Sequence, residues 1–214
     1  HELKAYYRTN IYGINRTVRA VDGVSFEINE NEAFGVAGES SCGKSTLVKS
    51  LCGVLKRPLT LVNGTVCYKF GDQIFFFFSS NEDELEEVRW KHISYVLQGS
   101  MGALNPVRKI IKSFQDFRNA HQKIENKKEF RASMERHLDT LGLPAEVLDS
   151  YPHQLSGGMK QRVTIALATI FDPEIILADE PTTALDVIVQ RGVMRMLRKI
   201  QERKRSTIIL VTHD

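Results

Sequence analysis

The sequence predicts an α/β fold: a mostly parallel β-sheet with helices on both faces and an inserted helical subdomain. The first observation is a short apolar run, residues 33–37, that leads through a glycine-rich turn into a helical pattern. The second is a pair of apolar runs, residues 174–178 and 207–212, on either side of a long helical pattern at residues 186–203. Continuous apolar strands that alternate with helices are typical of a parallel sheet covered on both faces.

The N-terminal third is predicted to consist mainly of strands. Residues 21–28 alternate apolar and polar side chains with period two, as a half-buried strand does. The helical pattern after the glycine-rich turn, residues 46–55, places Leu47, Leu51 and Val54 on one face. A strand, a glycine-rich loop and a helix in this order are typical of the opening of an α/β nucleotide-binding unit.

The middle of the chain has a different pattern. Residues 82–90 are acidic with helical spacing, and the β-prone run 75–78 before them is predicted to be an edge strand or a linker. Two apolar stripes with helical spacing follow, one made of Val107, Ile110, Ile111, Phe114 and Phe117 and one of Phe130, Met134, Leu138 and Leu141. We therefore predict a helical subdomain at residues 82–150, inserted into an α/β core formed by residues 1–81 and 151–214.

Composition and charge argue against several classes of protein. Apolar residues make up 42% of the chain and charged residues 26%, as in an ordinary globular protein. The net charge of +3 gives no basic footprint of the kind that a dedicated nucleic-acid binder carries, so no nucleic-acid partner is expected. The cysteines Cys42, Cys52 and Cys67 form no CxxC pair, so no zinc site is predicted. Their odd number argues against a secreted disulfide framework and favours a reducing, cytoplasmic compartment.

Membrane insertion is not predicted either. No apolar run approaches the roughly 20 residues needed to cross a bilayer, so work at a membrane would require docking onto a partner. The sequence begins at His1 without a methionine and stops directly after its last predicted strand. We expect it to be part of a longer chain.

The glycine-rich turn matches the P-loop pattern G-x-x-x-x-G-K-[ST], with a strand before it and a helix after it, as that motif requires. The segment comprises Gly38, Glu39, Ser40, Ser41, Cys42, Gly43, Lys44, Ser45 and Thr46. Its backbone N–H groups are expected to surround phosphates, and the helix N-terminus adds a partial positive charge. We predict that Lys44 reaches the β- and γ-phosphates and that the Ser45 hydroxyl ligates Mg²⁺.

Two carboxylates follow an apolar strand, at the edge of the sheet where α/β proteins bind ligands. Asp179 is predicted to hold Mg²⁺, and Glu180 to act as the general base that activates or orients an attacking water. Read alone, the pair fits a helix N-cap and an acidic first turn equally well. The P-loop in the same chain favours the catalytic interpretation.

A third segment, LSGGMKQR at residues 155–162, starts the helical pattern at residues 156–171. Ser156, Gly157 and Gly158 before a helix form a second anion-binding helix start in the same chain. An ordinary capped helix is the alternative, and the segment alone would favour it.

The order of these motifs, followed by ALD at residues 184–186 and a histidine after the last strand, resembles that of the ABC ATPases. The resemblance covers essentially the whole chain. It implies a P-loop NTPase fold of the ABC ATPase type, with a RecA-like core. It also implies that two nucleotide-binding domains pair head to tail, so that Ser156, Gly157 and Gly158 of one contact the γ-phosphate held by the other.

Further roles come from the resemblance alone. Gln98 matches the glutamine that senses Mg²⁺ and nucleotide and couples to the membrane subunit. His213 matches the switch histidine that contacts the γ-phosphate, and Asp186 matches the aspartate at the dimer interface.

An aromatic residue N-terminal to the P-loop stacks on adenine in this family. Tyr7 is the candidate here, with Tyr6 and Tyr12 as rivals. A tyrosine that only lies on the sheet is the alternative.

Finer features resemble one group within the family, the importer ATPases for oligopeptides, dipeptides and nickel. These features are the methionine of LSGGM and the segments SMGALNP, YPHQ and TTALDVIVQ. Relatives of that group also energise sugar uptake, so the cargo stays open.

The resemblance implies ATP and Mg²⁺ as cofactors. It implies as partners a second ATPase subunit, in a homo- or heterodimer, transmembrane permease subunits and, indirectly, a solute-binding protein. It places the protein peripherally at the cytoplasmic face of the cell membrane.

Two alternatives remain. A soluble ABC ATPase that acts on DNA or ribosomes is one, although only residues 46–155 separate the P-loop from the LSGGM segment, without heptads or cysteine pairs. A nucleotide-binding regulator that hydrolyses ATP poorly is the other, because Ser41 stands where relatives usually carry glycine. If that position needs a positive φ, a residue with a Cβ costs about 1 kcal/mol or more.

Overall fold

The computed structural model describes residues 1–183 and 185–213. Its strands are β1 (Leu3–Ile11), β2 (Ile14–Val24), β3 (Ala33–Ala37), β4 (Leu59–Asn63), β5 (Cys67–Phe70), β6 (Gln73–Phe76), β7 (Ile93–Val96), β8 (Ile175–Asp179) and β9 (Thr207–Thr212). Its α-helices are α1 (Lys44–Leu51), α2 (Glu82–Lys91), α3 (Ile110–His121), α4 (Lys127–Thr140), α5 (Gly157–Ala168) and α6 (Val187–Lys204). Short 3₁₀ helices span Ser100–Ala103, Ala145–Asp149 and Pro152–Gln154.

The central sheet has four parallel strands in the order β3-β9-β8-β7. Along β8, Ile176 and Ala178 pack into a core with α3 to α6, whereas Leu177 packs into a second core with α1 and the N-terminal strands. All three side chains are fully buried. The prediction of a parallel sheet covered on both faces is therefore confirmed.

One strand of this sheet was not predicted. β7 lies inside the segment 82–150, which was predicted to be helical, and it pairs with β8 in parallel from Ile93↔Ile175 to Val96↔Ala178. The purely helical description of that segment is wrong for these four residues, because a short strand is held by a partner about 80 residues away and leaves little local pattern. The boundaries of the helical subdomain stay a prediction.

A second, antiparallel sheet has the order β2-β1-β4. Its hairpin pairs Leu3↔Val24 through Ile11↔Ile14. The strand predicted at residues 21–28 thus starts earlier and ends at Val24, because the hairpin with β1 sets its length. Beyond it, the partly buried Phe26 stacks on Phe34 of β3, with ring centroids 5.3 Å apart. The apolar and polar side chains that alternate after Val24 therefore reflect packing against the core, without a hydrogen-bonded strand.

The β-prone run 75–78 contributes to β6, the second strand of the separate β5–β6 hairpin, as predicted for an edge strand. Phe77 is 1% exposed and packs where the chain leaves α1. A Cβ at Gly53 would lie 2.3 Å from the Phe77 ring, so a glycine is required for this close approach.

The predicted helices exist with adjusted ends. α1 begins at Lys44 and ends at Leu51, whereas residues 46–55 were predicted. α3 begins at Ile110, so Val107, which was assigned to its apolar stripe, precedes the helix and is 79% exposed. α2 starts with a capping box between Asn81 and Glu84. None of the described helices is long and apolar enough to span a membrane.

Candidate functional site

The glycine-rich loop connects the C-terminal end of β3 to α1 and forms one wall of a cleft of about 440 Å³. The cleft is lined by Tyr7, Val18, Arg19, Ala20, Ser40, Ser41, Cys42, Gly43, Lys44, Ser45, Thr46, Gln98 and Glu180. Gly43, the N-cap of α1, has φ 105°. A Cβ there would lie 2.1 Å from the Ala20 carbonyl oxygen, so only glycine fits this turn.

Lys44 is 7% exposed at the start of α1. Its Nζ donates to the carbonyl oxygens of Gly38 and Glu39, both at 2.6 Å, and lies 3.8 Å from Cys42 Sγ. These contacts hold the ammonium group over the loop, where it adds a full positive charge to the helix N-terminus. The combination of backbone N–H groups, helix dipole and ammonium is suited to an anion such as phosphate.

Ser45 and Asp179 meet next to the loop. The Ser45 hydroxyl donates to Asp179 Oδ1 at 3.2 Å, and the Tyr95 hydroxyl donates to Oδ2 at 3.1 Å. Asp179 is 1% exposed, so these donors offset the cost of burying its charge. Mg²⁺ prefers oxygen ligands and is usually held by one or two side chains together with phosphate and water. The two oxygen-bearing side chains therefore fit Mg²⁺.

Glu180 stands at the centre of a hydrogen-bonded cluster. The Gln98 amide and the Thr183 hydroxyl each donate to its Oε2 at 2.9 Å, and His213 Nδ1 lies 3.3 Å from Oε1. Burial acts to raise the pKa of Glu180, but hydrogen bonds from Thr183 and His213 and the charges of His213 and Lys44 outweigh it and lower that pKa. The side chain is consequently an anion at neutral pH, directed at the cleft that holds Lys44.

The Glu180 backbone is unusual. Its φ is 47°, in the left-handed region that non-glycine residues rarely adopt. The Glu180 N–H donates to the Val211 carbonyl oxygen at 3.0 Å, which ties the end of β8 to β9. This backbone turns the chain sharply, so that Asp179 points into the sheet edge and Glu180 lines the cleft.

Among the three candidate tyrosines, Tyr7 lines the cleft and its hydroxyl lies 3.2 Å from Thr46 Oγ1. Tyr6 is buried and donates to Asp22 at 2.6 Å. Tyr12 is fully exposed in the turn between β1 and β2. The geometry therefore favours Tyr7 as the aromatic residue of the cleft.

Ser156, Gly157 and Gly158 are not among the residues that line the cleft. Ser156 caps α5, since its hydroxyl oxygen accepts a hydrogen bond from the Met159 N–H at 3.3 Å. A Cβ at Gly158 would lie 2.5 Å from Val189 of α6, so packing between helices accounts for this glycine. Within one chain, the two predicted anion sites are separate.

Two further predicted positions have local roles. The Asp186 carboxylate caps α6 by accepting the Val189 N–H at 2.9 Å. Ala184 of the same predicted segment lies outside the described residues. Ser41 has φ 65°, so the glycine-rich loop does require a positive φ at this position.

Several residues of the site were not predicted from the sequence. Tyr95 was missed because its strand β7 was not recognised. Thr183 was recognised only as part of a subfamily segment, although its position three residues after Glu180 is compatible with a turn. Val18, Arg19 and Ala20 reach the cleft because β2 starts at Ile14, well before the strand that was predicted.

Comparison with known proteins agrees with this geometry. Residues 21–183 match the family model described as ABC transporter. The chain is 40% identical over 199 residues to a dipeptide transport ATP-binding protein of Caldanaerobacter subterraneus subsp. tengcongensis, covering 92% of this chain and 60% of that protein. It is 38% identical to the protein of the same name from Bacillus subtilis, covering 92% and 58%. The chain thus spans about three fifths of the length of these relatives.

Solved structures agree as well. The dimeric bacterial ABC transporter cassette MJ0796 aligns with a TM-score of 0.79 at 27% identity, covering 99% of this chain and 88% of that one. The dimeric post-hydrolysis state of MJ0796, bound to ADP and Pi, aligns with a TM-score of 0.80 at 28% identity and the same coverage. By fold, by motif order and by sequence, the chain belongs to the ABC transporter family.

Proposed function

We propose that this chain is the ATP-binding and hydrolysing part of an ABC importer for oligopeptides or dipeptides. The observation that carries the proposal is that Lys44, Ser45 and Glu180 line one cleft at the carboxyl end of the parallel sheet, with the buried Asp179 hydrogen-bonded to Ser45. This arrangement fits the transfer of a phosphoryl group to water. Lys44 supplies a cation at a helix start, Asp179 a buried carboxylate suited to a metal, and Glu180 an ionised carboxylate in the cleft.

ATP would bind with its phosphates in the glycine-rich loop, against the backbone N–H groups of residues 40–46 and the Lys44 ammonium. Gly38 and Glu39 contribute through the carbonyl oxygens that position this ammonium. Adenine would stack on Tyr7, which lines the same cleft.

Mg²⁺ would be held by Ser45 and Asp179, with Gln98 as a further ligand from the neighbouring strand end. When bound, the ion neutralises charge on the phosphates. Tyr95 supports this role because its hydroxyl bond fixes the orientation of the Asp179 carboxylate.

Hydrolysis would use Glu180 to orient a water and accept its proton. Lys44 and His213 would stabilise the negative charge that develops on the transferred phosphoryl group. The 3.3 Å separation of His213 Nδ1 and Glu180 Oε1 supports a joint role for these two side chains.

A complete site would require a second ATPase subunit. Ser156, Gly157 and Gly158 do not line the cleft of their own chain, but they begin a helix with an exposed N-terminus that suits an anion. Head-to-tail pairing would bring this helix start onto the nucleotide of the partner, with Asp186 near the interface. Both MJ0796 structures are dimeric, which supports such an arrangement.

Cargo, partners and location follow from the relatives. Two dipeptide transport ATP-binding proteins at 38% and 40% identity favour peptides as cargo, with a related solute such as a sugar or nickel as the alternative. The remaining partners would be transmembrane permease subunits, with a solute-binding protein as an indirect partner. The chain would then lie peripherally on the cytoplasmic face of the cell membrane.

The test is steady-state ATP turnover with Mg²⁺, for the wild type and for Glu180→Gln. Loss of a general base typically costs 10²–10⁴-fold, so we expect turnover to fall at least about 100-fold while ATP binding is retained. Glu174→Gln, an exposed carboxylate that pairs with His92 on the opposite end of β8, serves as the matched control. Turnover of Glu180→Gln close to that of the wild type would remove Glu180 from the catalytic role.

A further inference from the structure

The two oxygens of the Glu180 carboxylate have different surroundings. Oε2 accepts hydrogen bonds from the Gln98 amide and the Thr183 hydroxyl, both at 2.9 Å. Oε1 faces His213 Nδ1 at the longer distance of 3.3 Å. A carboxylate oxygen accepts about two hydrogen bonds, so within the described residues Oε2 is filled and Oε1 has capacity for a further donor.

We infer that Thr183 is a positioning residue that, by occupying Oε2 of Glu180, makes Oε1 the oxygen that receives the proton of the attacking water. The inference rests on the proposed ATPase function. Thr183 would act through Glu180 and would touch neither the nucleotide nor the metal.

The backbone supports this inference. Residues 180–183 form a turn in which the Thr183 N–H donates to the Glu180 carbonyl oxygen at 3.2 Å. The Thr183 hydroxyl also donates to the carboxylate, so Thr183 bonds both the backbone carbonyl and the side chain of Glu180. Because Glu180 has φ 47°, its side chain leaves the sheet in a direction that ordinary strand geometry would not give.

Thr183 differs from the other donor to Oε2. Gln98 is exposed, lies 82 positions away in the sequence and is followed by Gly99 with φ 66°. Its contact depends on how the end of β7 lies against the end of β8. Thr183 is three residues from Glu180, so its contact persists wherever the turn itself is intact. We therefore assign to Thr183 the hydrogen bond that keeps the Glu180 carboxylate oriented whenever the turn is intact.

The proposed hydrolysis step breaks one bond of the attacking water and one bond of ATP. The water O–H bond breaks and its proton goes to Oε1 of Glu180. The water oxygen forms a bond to the γ-phosphorus, and the bond from that phosphorus to the β,γ-bridging oxygen breaks with its electron pair leaving on ADP. Orientation of the carboxylate affects this step, because misplacing a reacting group by about 1 Å can cost about 10²-fold.

The test compares Thr183→Val, which keeps the shape and loses the hydroxyl, with Thr183→Ser, which keeps the hydroxyl. We expect Thr183→Val to lower kcat about ten-fold or more with KM changed by less than about two-fold, and Thr183→Ser to restore kcat to within about three-fold. Thr182→Val is the matched control, since it makes the same change one residue earlier, and its kcat should stay within about two-fold.

A double-mutant cycle adds a readout that a structural role would not reproduce. In the Glu180→Gln background, Thr183→Val should have no further effect on the residual turnover, because the carboxylate that it positions is gone. Fully additive losses would overturn the inference. So would an unchanged kcat in Thr183→Val, or an equal loss in Thr182→Val.

Failure of the inference is distinguishable from failure of the proposed function. A wild type that hydrolyses ATP, an inactive Glu180→Gln and an unaffected Thr183→Val overturn only the inference. A wild type without ATP turnover overturns both. If Thr183→Val unfolds, as judged by circular dichroism, Thr183→Ala replaces it, since Thr183 is an exposed residue.

Discussion

The two glycine-containing helix starts of this chain resemble each other in sequence and differ in chemistry. α1 begins after Gly43, which is left-handed and provides no side-chain cap, so the first backbone N–H groups face the cleft. α5 begins after Ser156, whose hydroxyl caps the Met159 N–H. The first start has the Lys44 ammonium and the Glu180 carboxylate beside it, whereas the second does not line the cleft at all.

Because of this difference, we expect the helix starts of α1 and α5 to have different roles in binding a nucleotide. A helix N-terminus gives only a partial positive charge, and it becomes a binding site when a full charge and a shaped loop support it. α1 has both. α5 offers an exposed start that could contribute only to a ligand already held elsewhere, which fits a half-site completed by a second subunit.

The largest expected effect is the loss of ATP affinity when the charged side chain at the start of α1 is removed. Lys44→Met removes the full charge from the first start, and we expect ATP affinity to fall at least about 100-fold, since losing one partner of a buried charge pair costs about 2–5 kcal/mol. Titration with a fluorescent ATP analogue at fixed Mg²⁺ measures it. Lys49→Met, on the same helix, is the control and should bind within about two-fold of the wild type.

The second prediction concerns pairing of the two starts. Ser156→Arg should leave ATP binding to the isolated chain unchanged and reduce turnover about ten-fold or more, because a bulky side chain would block the partner's nucleotide. Mixing Ser156→Arg with Lys44→Met should give turnover above the sum of the separate variants, since a mixed dimer contains one intact pair of starts. Turnover that equals this sum would contradict composite sites.

Much of the difference between the two helix starts could be predicted from the sequence. The first start was predicted because strand, loop and helix are adjacent in the chain and the glycine spacing is imposed by backbone geometry, as Gly43 shows. The carboxylates followed from an apolar strand that ends in two acidic residues. Ser156 was predicted to begin an anion-binding helix start, with an ordinary helix cap as the alternative, and its hydroxyl oxygen accepts the Met159 N–H.

The features that the sequence did not predict depend on contacts between distant segments or on an unusual backbone conformation. β7 was missed because its four residues are held by β8 and leave too short a local pattern. Tyr95 was missed with it. Thr183 was given no role because its contact follows from the left-handed backbone of Glu180, which no local pattern in an acidic strand end indicates.

The third prediction uses pH to weaken the helix that carries the second start. His137 Nε2 lies 2.9 Å from the Ala166 carbonyl oxygen of α5, and burial lowers the pKa of His137 below 6.5 despite that hydrogen bond. Since the folded state keeps the ring neutral where the unfolded state takes up a proton, stability is fully present above about pH 6.5 and is lost as pH falls through the lowered folded pKa. Urea denaturation at several pH values measures the loss.

His137→Gln keeps a donor for the Ala166 carbonyl oxygen and does not titrate, so its unfolding free energy should fall less between pH 7.5 and 5.5 than that of the wild type. His153→Gln, at an exposed position, should behave like the wild type. An identical pH dependence in wild type and His137→Gln would show that this histidine does not link protons to the stability of α5.

The smallest expected effect lies within the first start itself. Ser41 has φ 65°, a conformation that glycine adopts freely and a residue with a Cβ does not. If strain of about 1 kcal/mol is relieved only when the loop closes on phosphate, Ser41→Gly should tighten ATP binding by roughly five-fold without changing the fold. Ser40→Gly is the matched control, because the adjacent Ser40 is not among the residues with positive φ, and the same glycine should there bring no gain. Titration of the three proteins with a fluorescent ATP analogue at fixed Mg²⁺ decides the matter. A dissociation constant that is unchanged or higher in Ser41→Gly would mean that the serine costs nothing in the bound loop, and the strain argument would fail.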